Sequence, residues 1–139
     1  MIVVDEYLAV RALLGTVPDD LLDEDLALPT SRHWRLLQAL HGGEGGHLSR
    51  LLARLSETGR LAVRFPHPEV FQVLDPRPLL DEAATLAARF SNTGWLTAET
   101  LAASRRNGRV LWVGEEQNVG RLLRTATDEL GIQIEVAAA

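Results

Sequence analysis

The sequence predicts a single α/β domain with a mostly parallel sheet, and two observations favour this fold. Short runs of only apolar residues, such as Ile2–Val4 and Val110–Val113, alternate with amphipathic helical patterns. Continuous apolar runs are typical of strands that are buried on both faces of a parallel sheet. The 139 residues are 46% apolar and 24% charged, the balance of an ordinary globular domain. We therefore expect one domain over residues 1–139, with a sheet of four to five strands between two helical layers.

The first third of the chain predicts strand and helix in alternation. Ile2–Val4 is the first strand, and a helix is expected over Glu6–Leu14, where a glycine follows. Leu26–Leu28 is expected to form a short second strand. Thr30 or the serine after it should then cap a helix that runs to Leu40.

The middle of the chain opens with a glycine-rich breaker at residues 42–46. A helix is predicted over residues 47–58, because its leucines recur at helical spacing. A third strand is predicted over residues 70–74, where the residues are mostly apolar.

The last part of the chain predicts three helices and two strands. An alanine-rich amphipathic helix is expected over residues 79–90, ended by residues 91–94, and Thr97 should cap another helix that continues to about residue 107. Val110–Val113 is the fourth strand. A final helix should end at Gly131, followed by a half-buried edge strand over residues 132–136.

Acidic residues follow two of these predicted strands. Asp5 and Glu6 come directly after the first strand, and Glu115 and Glu116 follow the fourth strand after one glycine. Open α/β sheets bind their ligands at the C-terminal ends of the strands. Carboxylates gathered there are typical ligands of Mg²⁺ or Mn²⁺. The pattern therefore predicts a metal site, or the remains of one.

Composition and charge exclude several classes of protein. The chain has no cysteine, which excludes disulfides, thiolate-bound zinc and thiol catalysis. No apolar run is long enough to span a membrane, and the acidic start is unlike a signal peptide, so we expect a cytoplasmic protein with no membrane partner. Residues 1–31 hold seven acids and one arginine, a net −6, whereas residues 32–64 hold six arginines and two acids, a net +4. The basic middle could contact phosphate, but the overall charge of −5 disfavours non-specific nucleic-acid binding.

Residues 1–5, Met-Ile-Val-Val-Asp, precede an apolar helix and a glycine, and four later segments complete the pattern: residues 79–84, 97–103, 109–115 and 130–132. In these residues the opening and the closing half of the chain resemble a PIN domain. The resemblance lies in element order and acid placement. It implies a three-layer PIN-like fold with sheet order 3-2-1-4-5 and a Mg²⁺- or Mn²⁺-dependent ribonuclease of the toxin–antitoxin type. The implied partners are RNA and a small antitoxin protein, and a homodimer is expected as well.

The resemblance also implies the site residues. Asp5 matches the first aspartate of the family, Glu99 lies near its third acid, and Glu115 or Glu116 stands where the last aspartate follows strand four. Asp5, Glu99 and Glu115 are the expected catalytic residues, and the metal ligands would be these three together with Glu116. The second acid of the family is absent, because residues 31–35 read Ser-Arg-His-Trp-Arg. A PIN-like protein that has lost its chemistry and acts only through protein contacts is therefore a second hypothesis.

A third hypothesis is a DNA-binding protein with a winged-helix-like segment at residues 31–65. Residues 47–55 would form the recognition helix in the major groove, and Arg50 and Arg54 would reach the DNA. Residues 59–65 would form the hairpin wing.

Overall fold

The computed structural model describes residues 1–42, 46–91 and 93–137, which form an α/β fold with five parallel strands. The strands lie in the order β3-β2-β1-β4-β5. Their bounds are β1 (Ile2–Val4), β2 (Leu26–Leu28), β3 (Gln72–Val73), β4 (Val110–Val113) and β5 (Gln133–Val136). The predicted fold class and sheet order are confirmed.

β1 is the central strand of the sheet, and its side chains are therefore buried on both faces. Val3 and Val4 are completely buried. Val3 pairs with Ala27 of β2 on one side and with Leu111 of β4 on the other. The first strand of the chain is therefore flanked by two strands that come later in the sequence, and all three end at the same edge of the sheet.

Four helices cover one face of the sheet: α1 (Glu6–Leu14), α2 (Thr30–Leu40), α3 (Gly46–Leu52) and α4 (Glu57–Arg64). Their apolar sides form one hydrophobic core with β1 and β2, in which Leu8, Leu36 and Phe71 are completely buried. Gly15 ends α1 in the left-handed conformation, at φ 71°, as a glycine after a helix commonly does.

Three helices cover the opposite face: α5 (Leu80–Arg89), α6 (Trp95–Arg106) and α7 (Arg121–Leu130). They form a second core with β1 and β4, in which Val3, Leu101 and Leu111 are completely buried. The molecule thus has three layers, with the sheet in the middle. Among the described residues, no helix is long and apolar enough to cross a membrane.

The region between residues 46 and 65 differs from the prediction. One helix was expected over residues 47–58, but two short helices are present, because the Ser56 hydroxyl accepts a hydrogen bond from the Gly59 amide at 3.1 Å and caps α4. The predicted hairpin wing at residues 59–65 is wrong, since nearly all of it belongs to α4. The predicted recognition helix is also shorter than expected, and its Leu48 and Leu52 are buried against the core. The winged-helix arrangement is therefore not formed.

Smaller differences concern the ends of the elements. α6 begins at Trp95, so Thr97 lies inside its first turn and does not cap it. The Thr30 hydroxyl donates to the Leu74 carbonyl instead of capping α2. The third strand has two residues, not the five predicted. The predicted breaks at residues 43–45 and at Asn92 lie outside the described residues.

Candidate functional site at the C-terminal edge of the sheet

Asp5 joins the ends of the two central strands. It is the N-cap of α1, and its Oδ1 accepts hydrogen bonds from the Leu8 amide at 2.9 Å and from the Gly114 amide at 3.0 Å. Its own amide donates to the Trp112 carbonyl at 3.0 Å. Asp5 therefore has a structural role as a helix cap and as a link between β1 and β4.

The second carboxylate oxygen of Asp5 is buried without a hydrogen-bond partner among the described residues. Burial of the side chain, which is 1% exposed, and repulsion from Glu6 raise the pKa of Asp5 from 3.8 to about 7. The positive charge of Arg32 and the two amide hydrogen bonds oppose this rise. Near neutral pH the protonated and ionised forms of Asp5 are therefore populated to similar extents.

Glu6 and Arg32 form a buried ion pair beside Asp5. Nη1 of Arg32 donates to the Glu6 Oε1 and Oε2 atoms at 3.1 and 3.0 Å, and both side chains are almost fully buried. Nε of Arg32 donates to the Thr100 hydroxyl at 2.6 Å, and that hydroxyl donates to the Leu96 carbonyl at 2.8 Å. The guanidinium is thus fixed between α1 and α6, while Arg35 makes a longer contact of 3.5 Å with Glu6.

Glu99 is buried and holds the start of α2. Its Oε1 accepts a hydrogen bond from the Ser31 amide at 2.7 Å, and the side chain is 1% exposed. The first amides of a helix have no partner inside the helix, so a carboxylate there is stabilising. Oε2 of Glu99 and the Ser31 hydroxyl are buried without a hydrogen-bond partner in the described part of the chain.

The last two predicted acids point to other partners. Oε1 of Glu115 lies 2.7 Å from Nε2 of His47, whose ring stacks on Tyr7 at 5.9 Å between centroids. Glu116 is exposed and lies 4.0 Å from Arg124. Glu115 thus ties the end of β4 to α3, and Glu116 lies on the surface.

An open groove of about 520 Å³ runs along the ends of β4 and β5. Glu115, Glu116 and Arg11 line it, but Asp5 and Glu99 do not. The two most buried of the predicted ligands therefore do not open onto this groove.

These residues do not fit a divalent metal site. Over the described ranges 1–42, 46–91 and 93–137, no group of three or more histidines and carboxylates is arranged so that it could hold a metal ion. Asp5 faces a buried arginine, Glu99 is bonded to a helix amide, and Glu115 is paired with a histidine. A hard cation requires several free oxygen ligands around one point.

Sequence reasoning missed two members of this edge. Thr100 contacts Arg32, and His47 contacts Glu115. The two partners are 68 residues apart in each case. Spacing along the chain gives no signal for such contacts. The available signal for the ion pair was the arginine at position 32, in the stretch 31–35 where the PIN resemblance implies an acid.

Comparison with known proteins finds no counterpart of this chain among protein-family models, curated proteins or solved structures.

Proposed function

We propose that this chain is a divergent PIN-like domain without metal-dependent chemistry, which acts through protein contacts. The observation that carries the proposal is the buried Arg32 guanidinium, which is bound to Glu6 and whose charge opposes the rise in the pKa of Asp5. In this proposal the arginine supplies the positive charge that a divalent ion supplies in an active PIN nuclease. The sheet order and the acids after β1 and β4 support the PIN-like part of the proposal.

Electrostatics explains why Arg32 and a metal ion exclude each other. Charges in a partly buried site interact at a low effective dielectric constant, where a like charge at about 4 Å costs about 4 kcal/mol or more. A divalent ion that approaches Asp5 would meet this repulsion. It would also have to draw Glu6 away from the bonds that it makes to Arg32, since among the described residues only Oδ2 of Asp5, and not its Oδ1, is without a hydrogen-bond partner.

The test is a titration of the wild type and of Asp5→Asn with Mn²⁺ by isothermal calorimetry, together with a single-stranded RNA cleavage assay. We expect no saturable heat at the edge of the sheet and no cleavage that depends on Asp5. Mn²⁺ binding that disappears in Asp5→Asn, with RNA cleavage at about 1 s⁻¹ or faster, would contradict the proposal.

A Mg²⁺- or Mn²⁺-dependent ribonuclease of the toxin–antitoxin type is the second candidate, with RNA as substrate and a small antitoxin as partner. It is favoured by the buried Asp5 Oδ2 and Glu99 Oε2 atoms, which have no hydrogen-bond partner in the described part of the chain. Because Arg32 already compensates the negative charge, this candidate requires the guanidinium to leave the edge. Arg32→Gln distinguishes the two: a gain of Mn²⁺ affinity and of RNA cleavage in this variant favours the nuclease scaffold.

A further inference from the structure

One face of α4 combines exposed apolar and cationic side chains. Leu61 and Phe65 are 55% and 73% exposed and lie one helical turn apart, beside the exposed Arg60 and Arg64. We call these four residues the α4 basic face. Arg60 and Arg64 make no ion pair with any other described residue, and with Glu57 and Leu61 they line an open groove of about 330 Å³.

A second surface of the chain has the opposite charge, and it too combines charged side chains with an exposed apolar residue. The segment 19–25, which we call the acidic loop, holds five carboxylates and Leu22, which is 62% exposed. Its first residues form a short 3₁₀ turn that places Asp19 and Asp20 on the surface. Across the described residues, none of its carboxylates is in an ion pair.

We propose that the α4 basic face docks the acidic loop of a second copy of this chain. Leu22 would pack against Leu61 and Phe65, while Arg60 and Arg64 face the carboxylates of the loop. Complementary charge around an apolar centre is typical of specific protein interfaces. The contact joins two different surfaces. Two copies form a closed dimer when each binds the acidic loop of the other, and they form an open row of molecules when the contact is made in one direction only.

Charge favours a second copy over a nucleic acid as the occupant. The five carboxylates of the acidic loop would repel the phosphates of a nucleic acid, whereas in a second copy the same carboxylates face the arginines of the α4 basic face. The same loop supplies Leu22 as an apolar partner for the exposed Leu61 and Phe65. The inference extends the proposed protein-contact function and rests on it for its biological meaning, but self-association is measured separately from metal binding and RNA cleavage.

The experiment is sedimentation velocity of the full chain over a wide concentration range, at about 0.01 M and about 1 M salt, where the Debye length is about 30 Å and about 3 Å. We expect the mass to rise above the 15.3 kDa of one chain at low salt and to return to it at high salt. Two charge-reversed variants are compared with the wild type. One is Arg60→Glu with Arg64→Glu, and the other is Asp20→Arg with Asp23→Arg.

Each variant alone should associate at least about tenfold more weakly than the wild type, because like charges then face each other. An equimolar mixture of the two should associate again, since the unchanged acidic loop of the first variant meets the unchanged helix of the second. The charge-matched control Arg50→Glu with Arg121→Glu reverses two exposed arginines elsewhere and should associate like the wild type. Circular dichroism confirms that each variant is folded.

Three results would overturn the inference. One is a wild type that stays monomeric at low salt and high concentration. Another is a pair of reversed variants that associate as well as the wild type, or whose mixture stays monomeric. The third is loss of association in the charge-matched control to the same extent, since net charge and not the α4 basic face would then be responsible.

Discussion

At the scale of single residues, Asp5 should make the stability of the folded protein depend on pH. Because its pKa rises from 3.8 to about 7 on folding, the folded protein keeps a proton that the unfolded chain has released between these two values. Stability should therefore fall as the pH rises from about 4 to about 7 and then level off. Between pH 5 and pH 8 the expected loss is about 3 kcal/mol in the free energy of unfolding.

Asp5→Asn should remove this part of the pH dependence, since asparagine keeps the oxygen that accepts the two amide hydrogen bonds and does not ionise. The measurement is urea unfolding of both proteins at pH 5 and pH 8. Asp20→Asn, at an exposed position, is the control and should keep the slope of the wild type. An equal slope in Asp5→Asn would show that Asp5 does not titrate in this range.

Removal of only one charge from the buried ion pair of Arg32 and Glu6 should strongly lower the stability of the fold. Arg32→Met leaves the Glu6 carboxylate buried without its main partner, and we expect a loss of about 3–5 kcal/mol in the free energy of unfolding. Arg35→Met is the matched control. Its side chain is 41% exposed and 3.5 Å from Glu6, so we expect a loss of at most about 1 kcal/mol.

The double variant Glu6→Gln with Arg32→Met removes both charges and should recover part of the lost stability. Chemical denaturation of the wild type, Glu6→Gln, Arg32→Met and the double variant completes the cycle. If Arg32→Met and Arg35→Met lower the free energy of unfolding by the same amount, the ion pair of Arg32 and Glu6 is not buried in solution.

At the scale of elements, the approach of α1 to the end of β4 depends on Gly114. A Cβ added there would lie 2.6 Å from the Tyr7 Cβ and 3.1 Å from the Leu8 amide nitrogen. Gly114→Ala must push the start of α1 away from β4, and we expect a loss of about 1–3 kcal/mol. The loss should appear as a lower urea midpoint.

Gly120→Ala is the control for this substitution. A Cβ at Gly120 meets no described atom within 4 Å, and its φ is −72°, which any residue adopts. We expect a change of less than about 1 kcal/mol. Equal losses in the two variants would mean that the close packing at Gly114 is not the cause.

The elements differ in how well local sequence determines them. β1, α1 and β2 have the predicted bounds, because each apolar run ends at a strong breaker or cap such as Gly15 or Asp5. The break between α3 and α4 was missed, since the leucine spacing continues across it and the only signal is the Ser56 cap. The hairpin wing failed for the same reason: residues 59–65 have no turn that would compete with a capped helix.

At the scale of the whole molecule, β1 should be the most protected strand. Its amides lie at the centre of the sheet, between two helical layers, whereas β3 is a two-residue strand at the edge. Native-state hydrogen exchange followed by NMR should show the Asp5 amide, which donates to the Trp112 carbonyl, among the slowest. The Leu74 amide, which donates to Leu28 at the edge, should exchange faster. Similar rates for the two amides would contradict this order.

The sheet order followed from the sequence because a PIN resemblance supplied it, but the interior of the acidic edge did not follow. Arg32 and Glu99 are buried and form hydrogen bonds with Thr100 and Ser31, respectively, each 68 residues away in sequence. The acids after β1 and β4 could be predicted from the sequence, because they directly follow the apolar runs that form these strands. Their partners could not, because burial and pairing are tertiary properties.

The hydrogen bond between Asp5 and Gly114 joins residues that are 109 positions apart. During synthesis at about 5–20 residues per second, β1 therefore waits roughly 5 to 20 seconds before β4 has been made. β2 can pair with one side of β1 early, but the other side keeps its unpaired amides and carbonyls in an apolar strand. Until β4 has been made, the nascent chain thus exposes this open strand edge to neighbouring chains.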